Sequence, residues 1–247
     1  MPKFFKKCKH TGIEGESGLI YEVYRLIDDY YNRNELPKYI SFENVPPLKT
    51  DYPEVFKELL DNLTKWGYNY YENILSATNY GNPTKRDRLF VIGIRKDIDN
   101  KNFSMPNNTE ITTLRIKDFI DDNVDEKYNW PHELDFHPAK KKLNLHSMDG
   151  WLDTGCHHAT QSNRVYSING YCPTITRSSP RFWIKQNDIY RRLTQKELWL
   201  IQGFSLEDYD KIKNNYSESK INAVTGNSIA LGPLTAIYKS LKEAQDL

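Results

Sequence analysis

Apolar residues in the first hundred positions recur at the spacings of alternating helices and strands. In SGLIYEVYRLIDDYYN, residues 17–32, they recur every three or four positions, which predicts an amphipathic helix that Ser17 could cap. KYISFENV, residues 38–45, is rich in β-branched and aromatic side chains and predicts a short buried strand. EVFKELLDNLTKWGY, residues 54–68, predicts a second helix that ends at Gly67. NILSATNYG and RLFVIGI predict two further strands.

This order of elements predicts an α/β fold. Strands that are apolar along nearly their whole length belong to a sheet that is covered on both faces. Such folds usually open with a strand followed by a glycine-rich turn for a cofactor or phosphate, and no segment of this kind appears here. We therefore expect the C-terminal half of a Rossmann-like sheet.

The hydrophobic pattern loosens between about Asp99 and Lys185, where charged residues, Asn, Pro and His dominate and predict a small, loop-rich module. Order returns in TQKELWLIQGF, where Thr194 and Glu197 have the spacing of a capping box and Gly203 ends a helix. GNSIALGPLTAIYKSLKEA, residues 226–244, predicts a turn followed by an apolar helix. We predict three parts: a partial α/β domain, a small domain and a C-terminal helix that returns to the first part, with bounds 1–98, 99–221 and 222–247.

Charge and composition narrow the class of protein. A formal net charge of +1 excludes a uniformly basic surface, so any contact with nucleic acid has to come from local clusters. Three cysteines without regular spacing provide no disulfide framework. No apolar run approaches the length of a signal peptide core or a membrane span. These observations favour a soluble, cytoplasmic protein.

Five short segments stand in a fixed order along the chain. They are FENV at 42–45, NYGNPTKRDRLFVIGIR at 79–95, RVYSINGYCPTITR at 164–177, RRLTQKELWLIQGF at 191–204 and GNSI at 226–229. Together they resemble the later signature blocks of DNA cytosine-5 methyltransferases, and GESGLIYEVYRLI at 15–27 is similar to the helix that precedes those blocks. The resemblance covers nearly the whole chain and implies a methyltransferase of a restriction-modification or phage type, with a target-recognition domain as its small module.

The resemblance gives Glu43 and Asn44 a role in catalysis. In these enzymes a cytosine is flipped out of duplex DNA, a cysteine adds to C6, and C5 takes a methyl group from S-adenosylmethionine. Negative charge builds on the ring and has to be neutralised at N3, where a carboxylic acid can share or donate a proton. By the resemblance Glu43 contacts N3 and the exocyclic amine, while Asn44 fixes the loop geometry.

Arg86 and Arg88 match a family pattern of Gln-x-Arg-x-Arg. The resemblance assigns the second arginine to the cytosine O2, because a guanidinium presents planar, always charged donors. The first arginine would position backbone and loop. Thr84 stands where the family has Gln, which puts in doubt the support of the nucleophile loop or of the DNA backbone.

Further residues are assigned to DNA and to the cofactor. Arg177, Arg181 and Lys185 interleave with aromatic residues in TRSSPRFWIK, a mixture that suits contact with the phosphates of double-stranded DNA. Each of these residues could equally be a solvated charge. Asn227 and Ser228 match the family's last block, whose turn touches S-adenosylmethionine.

Two weaker cysteine sites are set aside. Cys8 lies between two lysines and could be a reactive thiol, but it lacks the preceding Pro of the family's nucleophile loop. The sequence CHH at 156–158 together with Cys172 fits no zinc-finger spacing, so we expect no metal site.

The family's opening blocks have no counterpart in this chain. These blocks are the glycine-containing cofactor turn, the acidic ribose contact and the Pro-Cys nucleophile loop. We therefore expect the C-terminal part of an enzyme, active only with a complementary chain that carries the N-terminal half. Three origins remain open: a subunit of a split methyltransferase, the product of a frameshifted gene, or a truncated remnant. The alternative function is a non-catalytic DNA-binding module, and the residues do not reveal the target DNA sequence.

Overall fold

The computed structural model describes residues 19–130, 136–139, 148–153, 158–160, 162–177 and 182–245. Ser17, Cys8, Arg181, Cys156 and His157, which the sequence analysis singled out, lie outside these residues. Within the described part of the chain, every helix is too short or too polar to cross a membrane.

The chain forms two compact units that each combine separate stretches of sequence. Unit 1 contains Met1–Ile74, Arg88–Met105 and Lys242–Leu247, and unit 2 contains Leu75–Asp87 and Pro106–Leu241. These units differ from the predicted boundaries, because 75–87 and nearly all of the last helix belong to unit 2. The backbone of Lys85 explains the first difference, since its N–H donates to the carbonyl of Cys172 at 2.9 Å within unit 2.

Unit 1 contains the predicted alternation of helices and strands. Its elements are α1 (Leu19–Asn32), β1 (Tyr39–Asn44), the short α2 (Pro47–Thr50), α3 (Pro53–Lys65), β2 (Tyr68–Ser76, whose last two residues belong to unit 2) and β3 (Asp87–Arg95, whose first residue does). The three strands form a sheet in the order β1-β3-β2, with β1 antiparallel to β3. The predicted helices, the strand at β1 and the strand at β3 are confirmed, whereas the strand predicted over NILSATNYG ends at Ser76 and Ala77–Tyr80 form a 3-10 turn. Gly67 follows α3 with φ 84°, a left-handed conformation that favours glycine.

The core of unit 1 lies between the two helices and one face of the sheet. Tyr24 and Ile27 of α1 pack with Phe56, Leu59 and Leu63 of α3. Phe56 is the buried residue at the start of the apolar face of α3, and its neighbour Val55 is only partly buried. β3 is buried on both faces along most of its length, as expected for a central strand.

Unit 2 is built on a sheet of short strands and on four helices. The strands are β4 (Phe136–Pro138), β5 (Met148–Leu152), β6 (Arg164–Tyr166), β7 (Trp183–Gln186) and β8 (Ile189–Arg192). They form a sheet in the order β4-β5-β6-β7-β8, in which only β6 and β7 are parallel. The described helices are α4 (Gln195–Ile201), α5 (Leu206–Ile212), α6 (Glu218–Asn227) and α7 (Leu231–Ala244), and single 3-10 turns occur at Ala77–Tyr80, Ile116–Asp118 and Glu126–Tyr128.

Two predictions for unit 2 have different outcomes. The capping box of α4 is confirmed, because the Thr194 side chain accepts from Glu197 N and the Glu197 carboxylate accepts from Thr194 N at 2.7 Å. Gly226 and Asn227 were predicted to lie in a turn, and this was wrong, since they form the end of α6. The helix extends this far because the side chain of Ser217 caps its start and Ile221 and Thr225 are buried along it.

A buried ion pair joins β8 to α4. Arg191 Nη2 lies 2.7 Å from Glu197 Oε1, and the two side chains are 4% and 0% exposed. The same carboxylate accepts from the backbone N–H groups of Thr194 and Asp121. Glu197 therefore links the capping box, the strand before it and the loop at Asp121.

We expect Glu197→Gln to destabilise unit 2 strongly. The substitution leaves the Arg191 guanidinium buried without its carboxylate, a change that typically costs about 3 to 5 kcal/mol. Denaturant-induced unfolding measures the loss. Asp210→Asn is the control, because it breaks the half-exposed pair with Lys213 and should cost less than about 1 kcal/mol. Equal effects of the two substitutions would contradict the importance of the buried pair.

Candidate functional site

Glu43 and Arg88 meet on neighbouring strands of unit 1. In the antiparallel pair of β1 and β3, Glu43 lies opposite Phe90 and Asn44 opposite Leu89. Arg88 Nε lies 2.8 Å from Glu43 Oε1, and the two side chains are 17% and 24% exposed. The structure thus brings together the acid and the second arginine of the sequence blocks.

The alternation of side chains along the strands explains this contact. Ile40 and Phe42 of β1 pack against the core of unit 1, so Glu43 points to the opposite face of the sheet. Leu89 and Val91 of β3 lie in the same core, which places Arg88 on the face of Glu43. The apolar pattern that forms the sheet therefore also fixes the ion pair.

Asn44 shapes the turn that follows β1. Its side chain is exposed, and Oδ1 accepts a hydrogen bond from Val45 N at 2.8 Å. Pro46 and Pro47 then lead directly into α2. A side-chain bond to the neighbouring backbone of this kind favours a turn over continuation of the strand.

The cavity beside Glu43 is small. Its volume is about 30 Å³, and its lining includes Glu43, Asn44, Phe42, Leu48 and Leu89. This volume holds little more than a water molecule. A pyrimidine base does not fit in it, so this cavity is not the pocket for a flipped base.

Arg86 makes its described contacts in unit 2. Its guanidinium is buried, and the two Nη atoms donate to the carbonyls of Ile175 at 2.8 Å and Ser228 at 2.7 Å. Arg86 and Arg88 are two residues apart in the sequence, yet Arg88 pairs with Glu43 in unit 1. The two arginines of the block therefore have different partners.

Thr84, the position at which the sequence departs from the family pattern, is completely buried. Its hydroxyl donates to the carbonyl of Pro173 at 3.2 Å, and its backbone forms a bridge with Cys172. Thr174 Oγ1 in turn donates to the Lys85 carbonyl at 2.5 Å. Thr84, a small β-branched residue, is thus packed between its own segment and the segment that contains Cys172 and Pro173.

Asn227 and Ser228, the predicted cofactor residues, lie at the C-terminal end of α6. Asn227 is exposed, whereas Ser228 is half-buried and its hydroxyl donates to the Thr225 carbonyl at 2.6 Å. The Asn227 amide can reach a ligand in solvent. The Ser228 hydroxyl already donates within the protein, so its oxygen can serve only as an acceptor.

The predicted DNA residues have mixed surroundings. Arg177 is exposed, and Lys185 on β7 is exposed and pairs with Asp188 at 2.8 Å. The neighbouring aromatic residues Phe182 and Trp183 are buried in the core of unit 2 rather than offered to a ligand. Arg177 and Lys185 are therefore accessible to solvent, whereas Phe182 and Trp183 contribute to the core.

Cys172 is unsuited to act as a nucleophile. It is a free, completely buried thiol, and this burial raises its pKa, which disfavours the reactive thiolate. Among the residues that the structure describes, no group of His, Cys, Asp and Glu could hold a metal ion.

Asn82 is a positioning residue that the sequence analysis missed. Its buried side chain donates to the Ile201 carbonyl at 3.2 Å and accepts from Gly232 N at 2.9 Å. It thereby joins the segment before β3 to the end of α4 and the start of α7. The one sequence signal that could have identified Asn82 is its position within the block at 79–95.

The family of the chain follows from a family model that matches nearly its whole sequence. The family model described as C-5 cytosine-specific DNA methylase matches residues 3–243. The chain belongs to this family. The curated relatives include the type II methyltransferases of restriction-modification systems, and the chain spans about three fifths of the length of the first of these relatives.

Individual relatives and solved structures agree with this assignment. M2.ScrFI of Lactococcus lactis subsp. cremoris is 27% identical over 245 residues, which cover 95% of this chain and 62% of that protein. The orphan methyltransferase M.SssI of Spiroplasma monobiae is 28% identical, over 96% of this chain and 61% of that protein. The crystal structure of S. pombe Dnmt2 methyltransferase matches with a TM-score of 0.67 at 19% identity, over 99% of this chain and 77% of that one. That likeness confirms the predicted α/β methyltransferase fold.

We expect Thr84→Gln, which restores the family residue, to destabilise the protein. The larger side chain enters a fully buried position between Pro173 and Cys172, and overpacking of this kind typically costs about 1 to 3 kcal/mol. Denaturant unfolding measures the change. Lys85→Gln, at the exposed neighbouring position, should change stability by no more than about 0.5 kcal/mol. Unchanged stability of Thr84→Gln would mean that the segment can open for the longer side chain.

Proposed function

We propose that this chain holds the target cytosine of a DNA cytosine-5 methyltransferase, with Glu43 and Arg88 as the residues that contact the base. The observation that carries the proposal is the 2.8 Å contact between these two side chains, on the edge strand β1 and the neighbouring central strand β3 of unit 1. An acid and a guanidinium held together on rigid strands can bind two neighbouring polar atoms of a planar ring.

The chemistry of the reaction matches these two groups. Addition of a thiolate to C6 of cytosine places negative charge on the ring, mainly at N3 and O2. Glu43 would hydrogen-bond N3 and the exocyclic amine, and Arg88 would donate to O2. Donors that are already in place need little reorganisation when charge develops, which is the largest contribution in many enzymes. Asn44 would keep the loop after β1 in place through its bond to Val45 N.

Unit 2 would bind double-stranded DNA. Arg177 and Lys185 are exposed and available for phosphate contacts, and Arg181 belongs to the same basic segment of the sequence. Lys185 would exchange its pairing with Asp188 for a phosphate. We assign the protein to a restriction-modification or phage-type system in the cytoplasm, on the strength of the restriction-modification relatives.

The methyl donor would be S-adenosylmethionine, which supplies the methyl group when bound. Asn227 is exposed and Ser228 retains an acceptor oxygen, so these residues fit an outer contact with the cofactor. They do not form a complete pocket, and the remaining cofactor contacts would come from residues outside this sequence.

The nucleophilic cysteine would also come from outside this sequence. Of the three cysteines, Cys172 is fully buried and Cys8 lacks a preceding Pro. Cys156 belongs to the segment 99–221, which we assign to target recognition. We therefore propose that a complementary segment, on a partner chain or elsewhere in the same polypeptide, completes the active site.

The surface for this segment would be the free edge of β1 together with α1. β1 pairs with β3 on one side, and no described strand occupies its other edge. On α1, Val23, Leu26 and Tyr30 form an exposed apolar stripe and are 36%, 47% and 43% exposed. Unprotected strand edges and contiguous apolar patches are typical of association surfaces.

The position of Glu43 selects the orientation of the added strand. Glu43 lies at the carboxyl end of β1. A strand added parallel to β1 would end beside Glu43, and the loop that follows it would reach the base held there. In α/β sheets, ligands bind at the carboxyl ends of the parallel strands for this reason. The occupant is therefore a parallel strand followed by a loop that carries the cysteine.

We expect Leu26→Glu to weaken self-association of the isolated chain and its binding of a hydrophobic dye. The substitution places a charge in the α1 stripe. Leu206→Glu is a matched control, because Leu206 on α5 is also 47% exposed but lies outside the stripe. Dye fluorescence and light scattering are the measurements. Equal effects of both substitutions would indicate that dye binding and self-association depend on exposed apolar residues in general, and would contradict a docking surface on α1.

We expect Glu43→Gln to slow methyl transfer in the reconstituted enzyme by about 10² to 10⁴-fold, the usual range for general acid catalysis. The amide keeps the shape and a hydrogen bond but lacks the transferable proton, so turnover should fall more than DNA affinity. Single-turnover transfer to duplex DNA is measured after addition of a chain that supplies the Pro-Cys loop, with a DNA titration at fixed salt.

Glu72→Gln is the matched control for this experiment. The Glu72 side chain is also 24% exposed and also forms an ion pair, with Lys49 at 2.7 Å. It should therefore lose similar stability without a loss of turnover. Equal rates for Glu43→Gln and Glu72→Gln would make Glu43 a structural residue. DNA binding without transfer, in every reconstituted complex, would favour the DNA-binding module instead.

A further inference from the structure

A buried cation in unit 2 joins two segments that are distant in the sequence. The Arg86 side chain is 5% exposed, and its Nη atoms donate to Ile175 O at 2.8 Å and to Ser228 O at 2.7 Å, with a longer contact of 3.5 Å to Gly226 O. Ile175 precedes the predicted DNA residue Arg177 by two positions. Ser228 is a predicted cofactor residue.

The end of α6 is a favourable place for this cation. The last carbonyls of a helix lack intrahelical partners and carry partial negative charge, so a guanidinium beside them is stabilised. Gly226 lies within the last turn of α6, and Ser228 follows its final residue. Arg86 therefore acts as a side-chain cap for α6 and at the same time holds the carbonyl of Ile175.

The same two segments also contact each other directly. A Cβ atom added to Gly226 would overlap the carbonyl group of Thr176 and would lie 2.5 Å from Arg177 N. Only a glycine allows the end of α6 to approach the backbone of this segment so closely. The Arg86 bonds and the Gly226 contact thus hold the segment 173–177 against the segment 226–230.

We propose that Arg86 is a positioning residue that couples the DNA-contacting segment 173–177 to the cofactor-contacting segment 226–230, which contains the end of α6 and the residues that follow it. The identity of the two ligands rests on the proposed function, whereas the mechanical coupling does not. A ligand that orders one segment would also order the other, so the second ligand would meet a smaller entropic cost. Arg86 would then act on the reaction through these segments rather than by contact with the base.

Hydrogen exchange measured by mass spectrometry on the full chain tests the coupling. In Arg86→Met, which removes the charge but keeps much of the length, we expect amides in both segments to exchange faster by about tenfold or more. Arg86→Lys should give an intermediate effect, because an ammonium keeps the charge but not the planar fork that reaches both carbonyls. Arg33→Met, at an exposed pair with Glu35, is the control and should change neither segment.

Faster exchange in one segment only, or in neither, would overturn the proposal. If Arg86→Met unfolds the chain, Gly226→Ala replaces it, because this substitution forces the same two segments apart while Arg86 is kept. Gly226→Ala should then accelerate exchange in both segments, and an effect on α6 alone would contradict the coupling.

Duplex DNA provides a second measurement that separates this proposal from the proposed function. DNA added to the parent chain should protect both segments from exchange, and in Arg86→Lys it should protect 173–177 while 226–230 stays fast. Protection of 226–230 in Arg86→Lys to the parental level would overturn the coupling. If DNA protects neither segment of the parent chain, the assignment of DNA as ligand fails, and joint acceleration in Arg86→Met still decides the coupling.

Discussion

Three guanidinium groups that are largely shielded from solvent are matched by acceptors, and these matches determine which segments of the chain meet. An unmatched buried charge costs several kcal/mol, whereas an exposed ion pair contributes about 1 kcal/mol at most. Arg191 is matched by Glu197, Arg88 by Glu43, and Arg86 by the carbonyls of Ile175 and Ser228. Arg191 therefore fixes the start of α4, and Arg88 fixes the two strands that carry the candidate base contacts. Arg86 fixes the contact between 173–177 and the end of α6. The many exposed pairs on the helices have no such consequence.

The sequence predicts those parts of the fold that depend on neighbouring residues. The capping box of α4 needs only Thr194 and Glu197, three positions apart, and α1 and α3 follow from the spacing of their apolar residues. The strands of unit 2 have three to five residues, too few for a recognisable alternation, and their order depends on partners far along the chain, such as Val165 opposite Trp183. The end of α6 was predicted as a turn because Gly and Asn favour turns. What extends the helix is tertiary: buried side chains along it and the Arg86 cap.

The candidate site shows the same division between local and distant information. The order of the sequence blocks singled out Glu43, Arg86 and Arg88 together and assigned Arg86 to backbone and loop, but it did not predict that Glu43 and Arg88 pair or which carbonyls Arg86 binds. The pairing follows from the register of β1 and β3, which no short string contains. The separation of the two arginines follows from their place in the chain, because the boundary between the units falls between Asp87 and Arg88. Residues at such a boundary take partners from different cores even when they are adjacent in sequence.

The ion pair between Glu43 and Arg88 also bears on how a base could be held. In the proposed reaction both side chains would contact the ring, and each would give up part of its interaction with the other. That loss is smallest when the ring itself becomes charged. Arg88 then gains a negative partner at O2, and Glu43, which takes up a proton from solvent as its pairing with Arg88 weakens, donates this proton to N3. A neutral base offers less to both groups, so this ion pair favours the charged intermediate over the bound substrate. A pre-formed pair on two rigid strands therefore stabilises the charged intermediate at a lower ordering cost than two independent side chains, which would have to be ordered at each turnover.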